Sequence, residues 1–246
     1  MPVTEQQCRE PAAGFILAGG QSSRMGTDKA LAIFDGQPLV TNALAILKTA
    51  GLPVKIAGSR SSLGEFAEEI PDSLPSTGPL GGIYAALRLA SAGPATGSAT
   101  GPATAPAAQW SVFLPVDMPL MPSALIARLL ERAMLTSAPI TVATLNGRME
   151  PFPVVLHRNA LPIIEQRLHF GETGCQSAWR SIPVALGERL DSVSVESLVQ
   201  AGHCRHPAGL PPAWWFQSAN TPAELAWLNR ISQQYLRQKS ATNRVS

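Results

Sequence analysis

No apolar stretch in the chain approaches the roughly 20 residues that crossing a bilayer requires. The opening segment MPVTEQQCREPAAG lacks the basic-then-apolar layout of a secretory signal. Both absences make the cytoplasm the expected compartment and leave no membrane partner to expect. Cysteine is scarce, and Cys8, Cys175 and Cys204 are odd in number and far apart, which supports no disulfide framework. Charge is scarce as well. Nineteen Lys and Arg against 17 Asp and Glu leave a formal net charge of +2, with no basic run to serve as a footprint for nucleic acid. HCRH at His203–His206 groups three possible metal ligands, but adjacent side chains point apart and no second cluster completes a zinc site, so it reads as an ordinary loop.

What the chain does have is apolar residues in short runs. At 246 residues and 45% hydrophobic it can bury a large core, and a single domain over 1–246 is expected, with flexible tails at 1–12 and 240–246. GFILA (Gly14–Ala18) ends in glycines and reads as a buried strand feeding a turn. PLVTNALAILKTAG follows with Pro38 placed for a first helical turn, apolar residues at helical spacing and Gly51 as the stop. VKIAG (Val54–Gly58), WSVFLPVD (Trp110–Asp117), ITVATL and VVL read as further strands. PLGGIYAALRLA (Pro79–Ala90) and PSALIARLLERAML (Pro122–Leu135) read as helices. Alternation of this kind predicts an α/β fold with a mainly parallel sheet covered on both faces, and ligands at the carboxyl ends of its strands.

Ser91–Gln109 is built almost wholly from Ala, Gly, Pro, Ser and Thr and has little to bury, so 91–109 reads as a low-complexity surface insertion within the domain. Near the end, Thr221 as N-cap, Pro222 at the first helical position and Glu224 completing a capping box predict a helix start. WWF at Trp214–Phe216 reads as core strand, because tandem aromatics usually bury. No chemistry is assigned to the stretch from Gly171 to Pro212.

The turn after the first strand, GGQSSRMGTDK, carries the chemistry. Adjacent glycines let backbone approach a ligand, and small turn-forming residues aim several N–H groups at one point, a natural cradle for an anion. Arg24 adds a planar fork suited to phosphate oxygens and Lys29 a point charge. A Walker A loop does not fit, because Thr27 and Asp28 stand between Gly26 and the lysine, and the G-x-G-x-x-G spacing is absent. A glycine pair after a strand is by itself more often just a tight turn.

The whole run L-A-G-G-x-S-x-R-M-G-x-D-K-A-L resembles the signature of the MobA-like nucleotidyltransferases, specifically the molybdenum cofactor guanylyltransferases. PDSLPSTGPLGGI (Pro71–Ile83), VDMPLM (Val116–Met121), NGRMEPFPVVLHR (Asn146–Arg158) and FQSANTPAEL (Phe216–Leu225) are similar to further segments of that family, in the same order. The resemblance implies a three-layer Rossmann-like nucleotidyltransferase fold with a mainly parallel central sheet. It also implies transfer of GMP from Mg-GTP to the terminal phosphate of molybdopterin, with release of pyrophosphate. Leu17, Ala18, Gly19 and Gly20 would contact the nucleotide, Arg24 and Lys29 its phosphates, and Asp72 with Gly78, Pro79 and Leu80 the guanosine. Asp117 would bind Mg2+ and Asn220 would face the acceptor. Transient contact with a cofactor-insertion protein or a molybdoenzyme is implied in the same way.

Physical reasons stand beside the resemblance. Magnesium takes one or two carboxylates plus substrate phosphates, so one aspartate at a strand end suffices; the plain alternative for Asp117 is a turn-initiating residue, and for Asp72 an Asx turn. A phosphate nucleophile is already anionic, so no general base is required. The LAGG and G-P-L segments resemble the guanine-selecting members of the family more than the cytosine-selecting ones, and that resemblance implies GTP over CTP. Two positions depart from the family, Ser218 and Ser59, where asparagine is usual. Three other readings stay open: a cytidylyltransferase of molybdopterin, a sugar-phosphate nucleotidyltransferase, and a nucleotide-binding protein without catalysis.

Overall fold

Strands that read as unbroken apolar runs are strands covered on both faces, and GFIL and VFL at the centre of the sheet have that character. The computed structural model describes residues 11–19, 28–58, 63–74, 77–92 and 107–242. Within them lie strands β1 (Ala12–Leu17), β2 (Ile33–Phe34), β3 (Gln37–Pro38), β4 (Val54–Ala57), β5 (Glu69–Ile70), β6 (Trp110–Pro115), β7 (Ile140–Leu145), β8 (Arg148–His157) and β9 (Asp191–Ser194). The helices are α1 (Leu39–Thr49), α2 (Gly78–Ala92), α3 (Ser123–Thr136), α4 (Leu161–His169), α5 (Cys175–Ala185), α6 (Val195–Gln200), α7 (Pro212–Trp215) and α8 (Pro222–Thr242). Seven strands form one sheet in the order β5-β4-β1-β6-β8-β7-β9. Only β8 runs against the rest, pairing antiparallel with both β6 and β7.

Side-chain alternation divides the core into two layers. Ile16, Ile56, Val112, Leu114 and Val155 face α1, α3 and α8. Phe15, Leu17, Ala57, Phe113, Val154 and Leu156 face α2, α4 and α5. Phe15 and Phe113 stack at 5.3 Å in the second layer, where the parallel register sets them side by side. α1 therefore covers one face on the way from β1 to β4, and α2 covers the other on the way from β5 to β6. The chain leaves β1 toward one side and returns on its other side, which opens a crevice at the carboxyl ends of β1 and β6.

Several sequence expectations shift in detail. Pro38 ends β3 and caps α1 instead of entering it. VVL belongs to a ten-residue strand, β8. WWF is not a strand: Trp214 and Trp215 close the short helix α7, because Pro211 and Pro212 start a helical turn and leave no donor for a ladder. The capping box forms as expected, with the Thr221 N–H donating to Glu224 at 2.9 Å and the Glu224 N–H to Thr221 Oγ1 at 3.2 Å. β1 starts at Ala12 and α8 continues to Thr242, so the inner ends of both expected tails are ordered. α2 takes in Ser91 and Ala92, residues 93–106 of the insertion lie outside the described residues, and 107–109 lead into β6, with the Ala108 N–H donating to Ala90 at 3.0 Å. Among the described residues no helix is long and apolar enough to cross a membrane.

Asp35 and Gly36, at φ 46° and 80°, turn β2 into β3 as Asp-Gly pairs do in tight hairpins. Asn229 of α8 clamps that turn, accepting from the Asp35 N–H at 2.7 Å and donating to the Ile33 carbonyl at 3.2 Å. The last helix is thereby fastened to the segment that follows Lys29.

HCRH forms no metal centre: no group of three His, Cys, Asp or Glu is placed to hold an ion among the described residues. Burial pushes the Cys204 thiol up to about 11. His206 packs by Trp215, accepts from the Ala208 N–H at 3.1 Å and donates to the Leu120 carbonyl, bracing the loop after β6. Burial pushes its imidazole down to about 4, with Lys239 adding to the effect and the Leu120 bond opposing it. The unfolded chain, with this histidine near 6.5, takes up the proton first as pH falls. This contribution to stability is therefore complete above about pH 6.5 and is lost progressively toward about pH 4. Urea denaturation across that range should show His206→Gln with a shallower decline than the wild-type protein; equal slopes would remove His206 from the acid response.

Candidate functional site

The crevice at the switch point is an open cleft of about 130 Å³. Its lining follows the sheet: Asp72 after β5, Ala57 ending β4, Leu17, Ala18 and Gly19 leaving β1, Pro115, Val116 and Asp117 leaving β6, and Phe152 on β8. Gly78, Pro79 and Gly82 of α2 close one side and Lys29 another.

Backbone bonds hold the floor. The Ala18 N–H donates to Ala57 at 3.0 Å and the Val116 N–H to Leu17 at 3.1 Å, so the ends of β4, β1 and β6 remain laced where their ladders stop. Gly58 makes a close approach possible. At φ 126°, it sits where a β-carbon would stand 2.7 Å from Gly19 N and 3.0 Å from Gly19 Cα, so a bare α-carbon is what lets the two turns touch. The Asp72 carboxylate reaches over the same floor. Its Oδ2 lies 3.7 Å from where a Gly19 β-carbon would be, and its Oδ1 3.4 Å from that of Gly82. Desolvation by the protein around it raises the Asp72 carboxyl above its ordinary value.

At the other end of the floor, Lys29 Nζ ion-pairs with Asp117 Oδ2 and donates to Asn220 Oδ1 at 2.9 Å. Both charged side chains are mostly sheltered, 17% and 15% exposed, which limits screening by solvent. Each is set by its own local geometry. Asp28 caps a single 3-10 turn, Lys29–Leu31, by accepting from the Ala30 N–H at 3.0 Å. Asp117 follows the end of β6, and its carbonyl accepts from the Ala219 N–H at 2.9 Å. Asn220 donates its backbone N–H to Glu224 at 2.8 Å, so the cap of α8 fixes it as well.

Of the residues singled out from sequence, Leu17, Ala18, Gly19, Lys29, Asp72, Gly78, Pro79 and Asp117 all line this one cleft. Asn220 joins it through Lys29. Leu80 does not: its side chain is wholly buried in the core layer under α2. Gly20, Arg24 and Ser59 lie outside the described residues. Sequence reasoning did not single out Phe152, Gly58 or Ala57 as site residues. Phe152 sat in a recognised segment, and two flanking prolines on a strand were the available signal for an irregularity there.

A positively charged and a negatively charged side chain, held together at the end of a strand beside the Leu17–Gly19 backbone, suit a ligand carrying phosphate and a metal ion. The comparisons agree with that chemistry. The family model described as the MobA-like NTP transferase domain matches residues 14–185. A molybdenum cofactor guanylyltransferase of Rhizobium meliloti is 32% identical over 224 residues, 87% of this chain and 90% of that protein. Another from Xanthomonas euvesicatoria pv. vesicatoria is 38% identical over 123 residues, 50% of this chain, and the match spans 55% of that relative's length. Among solved structures, a molybdopterin-guanine dinucleotide biosynthesis protein A from Archaeoglobus fulgidus superposes with a TM-score of 0.65 at 18% identity, over 90% of this chain and 99% of that one, a likeness of fold. With the cleft built on the strand ends that the matched region supplies, the chain belongs to the MobA-like NTP transferase family, a family of nucleotidyltransferases.

Proposed function

We propose that the chain transfers GMP from GTP to the terminal phosphate of molybdopterin, forming molybdopterin guanine dinucleotide and pyrophosphate. The observation that carries this reading is the Lys29–Asp117 pair standing beside the Leu17–Gly19 backbone in one cleft. The names of the curated relatives supply the nucleotide and the acceptor. An acceptor phosphate oxygen forms the new bond to the α-phosphorus, the bond from that phosphorus to the bridging oxygen breaks, and pyrophosphate leaves with the electron pair. The acceptor is already anionic, so the chain has to align and neutralise charge more than move protons.

In this reading the Leu17–Gly19 backbone positions the nucleotide, and Asp72, Gly78 and Pro79 bound its guanosine. Lys29 balances charge on the phosphates, with Arg24 assigned to the same task from the sequence motif. Asn220 orients Lys29 and, with it, the acceptor side. The donor set fits magnesium: Asp117 offers a hard carboxylate oxygen, and no three-ligand cage competes with it among the described residues, matching a metal completed by phosphate and water. When bound there, magnesium would neutralise phosphate charge and polarise the reacting phosphoryl group. The reading keeps the cytoplasm as the compartment expected from the sequence, and the lability of the product argues for hand-over to a cofactor-insertion protein or a molybdoenzyme.

The test is pyrophosphate release by purified protein with magnesium and molybdopterin, comparing GTP, CTP and ATP. Release with GTP alone is the expected result. Release with CTP instead would assign the cytidylyl reaction, and release with none would remove molybdopterin as the acceptor.

A further inference from the structure

Between the Val142–Val154 and Thr144–Met149 pairs, β7 supplies one residue and β8 supplies four, Glu150–Pro153. Such a bulge takes side chains out of the ladder and re-aims them, and Pro151 and Pro153 strengthen it by having no N–H to donate. Phe152 sits in this bulge and lines the cleft, the one aromatic residue to do so among the described residues. Its ring is held from behind. Trp179 meets it edge-on at 6.2 Å and 89°, and Trp179 Nε1 donates to the Pro151 carbonyl at 2.9 Å, fixing both the bulge and the ring. Phe152 also packs against both core layers, so an occupant would meet a preset surface and immobilise little on binding.

Position along the sheet says which occupant. Cleft residues come in the order Asp72 after β5, Ala57 on β4, Gly19 after β1, Asp117 after β6 and Phe152 on β8. With guanosine at the Asp72 end and the phosphates at Lys29 and Asp117, the wall beyond Asp117 is left for the group that attacks. Asn220 meets Lys29 beside Asp117, next to that wall's inner end. We infer that Phe152 is an acceptor-binding residue, a fixed aromatic wall against which the planar pterin ring of the acceptor packs. Aromatic side chains that pack on flat heterocycles contribute strongly and tolerate different ring substituents.

The assignment rests on the guanylyl-transfer reading, and the experiment separates the two. The probe is 6-hydroxymethylpterin phosphate, followed by its own fluorescence, against wild-type protein, Phe152→Ala, Phe152→Leu and Phe152→Tyr. GTP binding with magnesium is measured on the same samples by equilibrium dialysis. Phe152→Ala should weaken the pterin by about tenfold or more and Phe152→Leu by nearly as much, while Phe152→Tyr stays within about threefold of wild type. GTP affinity should be unchanged in all three. Phe152→Leu, which keeps apolar bulk, carries the test if the alanine variant does not fold. Equal pterin affinity in wild type and Phe152→Leu would overturn the assignment, and so would a matching loss of GTP, which would move Phe152 to the nucleotide side. Wild-type protein that binds GTP and no pterin would instead overturn the acceptor reading itself.

Discussion

Asp117→Asn should lower GMP transfer by roughly 10²–10³-fold while leaving the melting temperature within a few degrees of wild type. The side chain is replaced by one of the same shape, so packing around it is kept. The backbone carbonyl of Asp117, which accepts from Ala219, is untouched, and the turn that joins the end of β6 to the segment before α8 remains closed. What disappears is the negative charge beside Lys29. Without it the strand end offers both a metal ion and Lys29 only a neutral amide oxygen. Initial rates at saturating magnesium, together with a thermal melt, decide the matter. Full activity would remove Asp117 from the site, and an unfolded variant would show that the ion pair serves stability.

Gly58→Val should weaken GTP binding by at least about tenfold. At φ 126° a β-branched residue is strained whatever the space around it, which costs on the order of 1–3 kcal/mol. The added carbon would also stand 2.7 Å from Gly19 N and 3.3 Å from the Ala18 carbonyl carbon. Those atoms are backbone and cannot swing aside. Relief has to come from pushing the Ala18–Gly19 turn away from β4, out of the cleft floor where it faces Asp72. Gly58→Ala should show a smaller loss of the same kind, and both variants should keep most of their helical signal because the close contact is confined to the two turns. Wild-type GTP affinity in both, measured by equilibrium dialysis with magnesium, would show that this contact does not shape the nucleotide site.

The parts of the site that sequence reasoning reached are those whose signal is local. A glycine pair after an apolar run, an aspartate ending a strand, a G-P-L segment opening a helix and a capping box all announce themselves within a few residues. Eight of the residues singled out, several of them through the family resemblance alone, line one cleft, as an alternating α/β pattern predicts for strand ends. Leu80 was named with its neighbours, yet helix periodicity turns it into the core while Gly78, Pro79 and Gly82 face the cleft. The Asp35–Gly36 hairpin was a readable signal that went unread, because its strands are only two residues long. β5 and β9 were missed for a similar reason: β5 has two residues, and DSVS at the sheet edge carries little apolar pattern.

Sequence by itself determined the alternation of strands and helices, the two-sided burial of the sheet, the capped last helix and the residue types gathered for phosphate and metal chemistry. These follow from periodicity and backbone propensity, which act over a few residues. Tertiary structure alone decided that Lys29 meets Asp117 and Asn220, partners 88 and 191 positions away, and that Gly58 must be bare for Gly19 to approach. It also decided that a bulge in β8 presents Phe152 to the cleft. The reason is the same in each case. Sheet order places the strand ends side by side in an order the chain does not follow, and a contact between two such ends leaves no trace in the spacing of either one.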